Sequence, residues 1–307
     1  MDKLLTVSSS PHIRSSRTVS GIMLDVIIAL MPATVASVLI FGARAAAVVA
    51  VCVITAAVSE FLYQKITKSA VLVGDLSACV TGLLLALNLP ATIPLWQAAI
   101  GSMFAIVVVK GLFGGIGKNF ANPAITARIM MIISFSGSMT SFPSPDLNAS
   151  ATPLAIMKTG MEGLPKLMDM ALGKHGGSMG ETCSVAILLG GIYLLCRKVI
   201  NYAAPLSFIG TVAVISFVYG GAEYALYQVL AGGLMLGAFF MATDYSTTPT
   251  RKTGKIIFGI GCGVITSVIR IFGSYPEGVS YAILLMNILT PYIDKWTRPV
   301  PFGGKTK

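Results

Sequence analysis

The chain of 307 residues is 55% hydrophobic and only 11% charged, with a mean hydropathy of +0.81, and at that composition a water-soluble globule is excluded. Its 22 Lys+Arg against 12 Asp+Glu give a net charge of +10, which in a soluble protein would point to nucleic acid. Here the basic residues sit in short loops between apolar runs and read as topology signals, so the composition defines an all-α polytopic membrane protein that meets the lipid bilayer and no nucleic acid.

The first residues, MDKLLTVSSSPHIRSSRTVSG, are polar and hold no apolar core followed by a small-residue cleavage site. No cleaved signal is expected, and the first span directs insertion. A spanning helix needs about 20 mainly apolar residues. On that criterion ten segments are expected, several of them short or interrupted, at 21–41, 45–63, 72–89, 93–113, 121–136, 182–196, 203–220, 224–242, 254–273 and 278–293.

With ten spans and a cytoplasmic start, Lys3, Arg14, Arg17, Lys65, Lys68, Lys118, Arg197, Lys198, Arg251, Lys252, Lys255, Lys295, Arg298, Lys305 and Lys307 all face inward. Only Arg44, Lys158, Lys166 and Lys174 face outward, while Lys110, Arg128 and Arg270 lie within spans. Both termini are therefore expected in the cytoplasm. The long connection 137–181 then faces outward and separates a first repeat, 1–136, from a second, 182–307, of five spans each. An odd number of spans gives the halves opposite orientations, the plan of two inverted five-helix repeats with broken helices at the midplane. Candidate breaks are GGIGKNFANP at 114–123 and ATDYSTTPTRKTG at 242–254.

The five cysteines, Cys52, Cys79, Cys183, Cys196 and Cys262, show no CxxC spacing and read as packing thiols. With His12 and His175 the only histidines, the usual ligand spacings build no metal or iron–sulfur centre from this chain alone. Redox chemistry would have to come from an organic cofactor or a partner.

Six charges fall in or beside the apolar runs: Asp25, Asp75, Lys110, Arg128, Asp244 and Arg270. An unpaired charge at a helix centre costs about 2.5–3.5 kcal/mol on insertion scales, so each is expected to meet a partner or a ligand. Asp75 opens GDLSACVTGLLLALNLP and reads equally as a helix cap or as part of an ion path; Asp25 and Asp244 are the other ion-path candidates. Lys110, near the inner end of AIVVVKGLFGG, is expected to snorkel to the interface. In GKNFANPAITARIMM, Asn119 and Asn122 stand three apart, Pro123 opens a helix, and Arg128 lies one to two turns inside it. Two carboxamides beside a helix start can hydrogen-bond the edges of a planar heterocycle, and Asn122 before Pro123 is also an ordinary N-cap and N1 pair.

On the outer connection, Thr152 and Pro153 in NASATPLA fit the start of a short helix, PLAIMKTG. On local chemistry alone a cap is the first expectation. Asn148-Ala149-Ser150 satisfies the glycosylation pattern, but nothing in the chain points to a secretory-pathway context. Ten spans in two halves also suit a passive channel or secondary transporter for a small polar solute.

Six stretches in order, SPHI (10–13), DLSACVTGLLLALNLP (75–90), GGIGKNFANPA (114–124), SATPLA (150–155), GAFFMATDYSTTPT (237–250) and PEGVSYAILLMNILTPYID (276–294), carry a resemblance over nearly the whole chain. They resemble the RnfD/NqrB family, which contains the RnfD component of the Rnf electron-transport complex and the NqrB component of the sodium-translocating NADH:quinone oxidoreductase. The short lead of about 20 residues makes the chain look more like the Rnf branch. In that family an outward-facing threonine in Ser/Thr-Gly-Ala-Thr carries FMN through a phosphoester, attached by a separate flavin transferase, and Thr152 is the matching position. Asp146, Ala151 and Thr152 fit the fuller pattern, whereas Leu147 and Ser150 stand for its glycines and Ala149 for its hydroxyl residue.

The resemblance also implies a second, non-covalent riboflavin within the membrane, carried over to Asn119, Asn122 and Pro123, with Arg128, Glu277 and Gly278 as further candidates for lining either flavin. It implies a subunit of an ion-translocating ferredoxin:NAD⁺ oxidoreductase in a prokaryotic cell membrane, relaying electrons while Na⁺ or H⁺ moves outward. Without a GxGxxG before a helix or a ferredoxin-type cysteine set, NAD and iron–sulfur sites are expected on the other Rnf subunits, membrane, flavin-bearing and iron–sulfur alike.

Overall fold

The computed structural model describes residues 17–69, 72–142, 152–159, 163–173, 175–273, 275 and 277–299. The readings made above on residues 1–16, on Asp146 to Ala151, on Lys174 and on the basic tail beyond 299 lie outside them. Among the described residues all regular structure is helical: α1 (Val19–Phe41), α2 (Ala43–Ile66), α3 (Ser77–Leu87), α4 (Leu95–Phe104, continuing in wider turns over Ala105–Gly111), α5 (Pro123–Ser134), α6 (Ser136–Thr140), α7 (Pro153–Thr159), α8 (Leu167–Leu172), α9 (Ser184–Cys196), α10 (Ala203–Leu230), α11 (Leu234–Leu236, continuing in wider turns over Gly237–Met241), α12 (Lys252–Phe272) and α13 (Val279–Trp296).

Four helices, α1, α2, α10 and α12, are long and apolar enough to cross a membrane. In the most apolar stretch of α1 and of α2 only 28% of residues are buried within the protein, so most of their apolar side chains face outward. Leu39, Ile66, Val218 and Phe272, each between 77% and 80% exposed, would be costly against water and are at home against lipid tails. The chain is a multi-pass membrane protein.

The interior is built on close helix crossings. The α1–α9 and α10–α12 pairs make the most extensive of these together with α2 on α3 and α4. A Cβ at Gly190 of α9 would lie 2.0 Å from the carbonyl oxygen of Ala29 in α1; only a glycine admits that approach, as is usual where helices meet without hydrophobic drive from water.

The segment expected as one span at 224–242 is not continuous. The chain leaves the helix over Ala231–Gly233 before α11, whereas Gly221 (φ 81°, ψ −173°), which interrupts α10, falls at the expected boundary between the spans 203–220 and 224–242. The span expected at 72–89 is likewise shortened: a single 3₁₀ turn over Val73–Asp75 and a left-handed Leu76 precede α3. No helix covers 112–122 or 242–251, where the two breaks were expected. α3 has 11 residues and is therefore about 16 Å long, roughly half the 30 Å of a hydrocarbon core. Neither it nor the still shorter 234–241 segment is long enough to cross that core as one helix.

Contacts sort the loops into two ends. At one, Arg17 donates to the carbonyls of Arg197 and Lys198, Arg251 donates to that of Thr297, and 116–124 meets 199–200 and 243–246. At the other, Arg44 reaches Ile93, Met179 and Gly180 bond to the carbonyls of Leu89 and Leu87, and Lys158 bonds to those of Gly273 and Tyr275. The first end carries most of the basic loop residues.

Gly190→Leu is expected to force α1 and α9 apart at an overpacking cost of about 1–3 kcal/mol, read as a lower Tm in detergent. Gly210→Leu, where an added Cβ meets nothing within 4 Å, should leave Tm unchanged or raise it. Equal Tm values for the two variants would refute the crossing.

Candidate functional site

Two polar centres sit at opposite ends of α3. The first surrounds a cavity of about 90 Å³ at the basic end, whose walls include Ser77, Lys110, Asn119, Asn122, Pro123 and Asp244. Asn122 caps α5, its Oδ1 accepting from the backbone N–H of Ala124 and Ile125 at 3.0 and 3.3 Å, with Pro123 at N1. The cap expected there is real. Asn119 has a different situation: its Oδ1 is buried and accepts no hydrogen bond among the described residues, so it offers a free acceptor at the cavity.

The second break supplies the facing wall. Asp244 Oδ2 accepts from the hydroxyls of Ser246 and Thr247 at 3.1 and 3.2 Å. Asn287 of α13 ties the two breaks together. With its amide oriented by its neighbours, its nitrogen donates to Thr247 O at 3.2 Å and its oxygen accepts from Asn122 N–H at 3.1 Å. The adjacent Thr290 hydroxyl donates to the same Thr247 carbonyl at 2.9 Å.

Lys110 does not snorkel. It is 4% exposed, because Glu60 on α2 holds its ammonium in an ion pair and Ser77 Oγ accepts from it at 2.5 Å. Asp75 is one hydroxyl away: its Oδ1 accepts from Ser77 N–H at 2.8 Å and from Ser77 Oγ at 2.6 Å. It thereby serves the first N–H of α3 from one residue ahead of the cap position, which Leu76 occupies. Asp25 stays outside the cavity, accepting from Tyr193 at 3.1 Å and from Arg197 at 3.3 Å, and joins α1 to α9.

The second centre lies at the other end. Arg128 of α5 pairs with Glu277 and donates to Asn88 Oδ1 at 2.7 Å, while Asn88 Nδ2 donates to the Leu84 carbonyl at 2.6 Å. Glu277 Oε1 accepts from Gly233 N–H at 3.2 Å. Arg270 donates to the carbonyls of Gln228 and Ala231 at 2.6 and 3.1 Å. Gly278 follows Glu277 as the residue before α13. Glu181, 4% exposed, accepts from the Ser178 hydroxyl at 2.6 Å. Burial, and secondarily the negative charge of Glu277, push its carboxyl from 4.5 up to about 7.

Thr152 stands over this centre. It is buried, and its Oγ1 accepts from Ala155 N–H at 3.3 Å, so the expected cap exists. A Cβ at Gly232 would lie 2.6 Å from Leu154 and 2.7 Å from the Arg270 guanidinium, so α7 and Arg270 share one glycine. An ester at the threonine oxygen keeps lone pairs that can still accept from Ala155; cap and attachment are chemically compatible.

Eight of the candidates thus fall into two groups, Asn119, Asn122, Pro123 and Asp244 around the cavity and Thr152, Arg128, Glu277 and Gly278 at the opposite end, while Asp75 is held by Ser77 and Asp25 stands apart. Glu60, Asn88, Glu181 and Asn287 were not singled out from the sequence. The signal for Glu60 was present: it is a carboxylate inside VCVITAAVSEFLYQKI and meets the same cost criterion as Asp25.

A multi-pass helical protein with two interior polar centres joined by half-length helices is the class these features define. Residues 6–303 match the model of the NQR2, RnfD, RnfE family, and the chain belongs to that family. It is 46% identical over 305 residues to the D component of the Na⁺-translocating ferredoxin:NAD⁺ oxidoreductase complex of Acetobacterium woodii, covering 97% of this chain and 95% of that one. It is 42% identical over 323 residues to the D component of the proton-translocating ferredoxin:NAD⁺ oxidoreductase complex of Clostridium ljungdahlii (98% and 97% covered). It is 34% identical over 337 residues to the D component of the ion-translocating oxidoreductase complex of Halorhodospira halophila (96% and 94%).

Glu181 binds a proton more tightly in the folded than in the unfolded chain, so its contribution to stability is full below 4.5 and is lost as pH rises through about 7. Glu181→Gln, a stand-in for the protonated acid, should flatten the fall of Tm across that window and raise Tm above it. An unaltered slope in detergent melts would show that Glu181 does not titrate there.

Proposed function

We propose that this chain is the flavin-carrying membrane subunit of an Rnf-type ferredoxin:NAD⁺ oxidoreductase, in which it relays electrons and forms part of the path for Na⁺ or H⁺. The observation that carries the reading is the identity over nearly the full chain to the D components of complexes named for that activity. In this reading the other Rnf subunits supply the NAD and iron–sulfur sites, and a flavin transferase matures the chain by esterifying Thr152 with FMN.

The basic end is then cytoplasmic by the positive-inside rule, which puts Thr152 and the Arg128–Glu277 centre on the extracytoplasmic side. Two inverted five-span halves accord with the packing: α1 meets α3 as α9 meets α11, α2 meets α4 as α10 meets α12, and α4 meets α5 as α12 meets α13. Under that pairing the break at 242–251 answers the one at 88–94, after the third span.

For riboflavin, the free Asn119 oxygen and the Asn122 carboxamide offer the right chemistry for a heterocycle edge. The cavity of about 90 Å³ is smaller than the roughly 300–1,000 Å³ of pockets that enclose a drug-sized ligand. A bound flavin supplies one- or two-electron transfer; at the outer centre, Arg128 and Arg270 are the cations that can stabilise negative charge beside Thr152.

From native membranes containing the transferase, the chain should give ultraviolet-excited flavin fluorescence on a denaturing gel and an FMN mass on the Thr152 peptide. Thr152→Ala should abolish both while costing only about 1 kcal/mol of helix capping. A dark wild-type band would sink the covalent-flavin reading. Asn119→Leu should lower the amount of acid-extractable riboflavin and leave the gel fluorescence intact.

A further inference from the structure

The Glu60–Lys110 pair stands between two openings. One is the cavity between the breaks. The other is a groove of about 340 Å³ at the same end, with Glu60, Gln64, Leu72 and Gly114 in its wall. Lys110 lines both, so its side chain is the partition. Its ammonium donates to Glu60 Oε1 and Ser77 Oγ, and Ser77 donates in turn to Asp75.

Two features of this cluster point to a missing cation. Glu60 is 4% exposed, yet its second oxygen, Oε2, has no hydrogen-bond partner among the described residues. A buried carboxylate oxygen with free lone pairs is an open ligand position. Charge gives the second: with both carboxylates ionised, Glu60 directly and Asp75 through Ser77 stand against one ammonium, a cluster one positive charge short of neutral, which a monovalent ion restores and a divalent ion would overshoot.

We propose that Glu60, Ser77 and Asp75 form a site for one monovalent cation, Na⁺ or H⁺, for which the Lys110 ammonium competes, so that Lys110 gates passage between the groove and the interior cavity. The proposal rests on the ion-path reading above. Negative charge arriving on the cavity side attracts the ammonium away from Glu60, and a cation from the groove takes the vacated oxygens. When that charge leaves, the ammonium returns and the cation must go. With Na⁺ no covalent bond changes; with H⁺ the proton bonds to the Glu60 carboxylate and leaves from it.

The test uses the assembled complex in proteoliposomes, driven by reduced ferredoxin and NAD⁺. Ions moved per electron pair are measured with radioactive Na⁺ and with a pH-sensitive dye, varying Na⁺ at fixed pH and then pH without Na⁺. Glu60→Gln should raise the half-saturating ion concentration about tenfold or more, in the Na⁺ series if Na⁺ is the ion and in the pH series if H⁺ is. Lys110→Met should lower that concentration and reduce ions moved per electron pair, because the site no longer empties on return of the ammonium. If either single variant fails to assemble, Glu60→Gln/Lys110→Met, which leaves the net charge unaltered, should still lose ions per electron pair. Wild-type half-saturation and stoichiometry in these variants overturn the gate. Asp244→Asn separates the two readings: if it alone uncouples transport, the ion path stands and the gate is wrong, and if neither it nor the gate variants change transport, both are wrong.

Discussion

A helix that stops inside a membrane leaves backbone donors and acceptors that no water can satisfy, and the rest of this structure depends on how those groups are paired. Each unpaired group at such depth costs several kcal/mol. Here the pairing is done by side chains from other helices. Glu277 takes the Gly233 N–H, Arg270 takes the carbonyls of Gln228 and Ala231, and Asn287 takes the Thr247 carbonyl and the Asn122 N–H. The buried charges are therefore the condition for having half-length helices at all. Removing one member of such a pair leaves the other buried and uncompensated, which is more damaging than the net worth of the pair would imply.

The half-length helices in turn create the interior. A continuous α3 of about 20 residues would fill the space that Ser77 and Asn88 now open at its two ends. Because α3 is short, one polar centre forms at each end, separated by a buried apolar run from Leu83 to Leu87. That insulating layer keeps the two centres chemically distinct. Lys110 and Asp244 lie on the basic-end side of that layer and Arg128 on the other. Packing at glycines such as Gly190 holds the surrounding long helices close enough to seal the layer.

The long spans were legible in the sequence because lipid imposes a length and a composition, and α1, α2, α9, α12 and α13 begin and end close to the expected limits. The breaks at 112–122 and 242–251 were legible for a related reason, since Gly, Pro, Asn and Thr gather where the backbone must leave the helix. The interruption at Ala231–Gly233 was not. Its residues are small and apolar, and what stabilises the break, Arg270 and Glu277, lies about 40 residues downstream. Lys110 was misread for the same reason: its distance from the end of an apolar run fits snorkelling, and only the fold brings Glu60 beside it. Asn122 and Thr152, by contrast, carry their capping roles in their immediate neighbours, and both caps are found.

Several of the buried charges match the partial charge of the helix end they meet, while Asp244, just past the C-terminal end of the 234–241 segment, relies on the Ser246 and Thr247 hydroxyls instead. The N-terminus of a helix carries partial positive charge and its C-terminus partial negative charge. Asp75 sits at the N-terminus of α3, and Arg128, through Asn88, sits at its C-terminus. The chain enters α11 past Gly233, whose N–H meets Glu277, so the second short helix also begins against a carboxylate. α3 begins at the basic end and α11 at the opposite one, so each centre receives the positive end of one short helix and the negative end of the other. An array of that kind holds both carboxylates and cations at low cost in the same place.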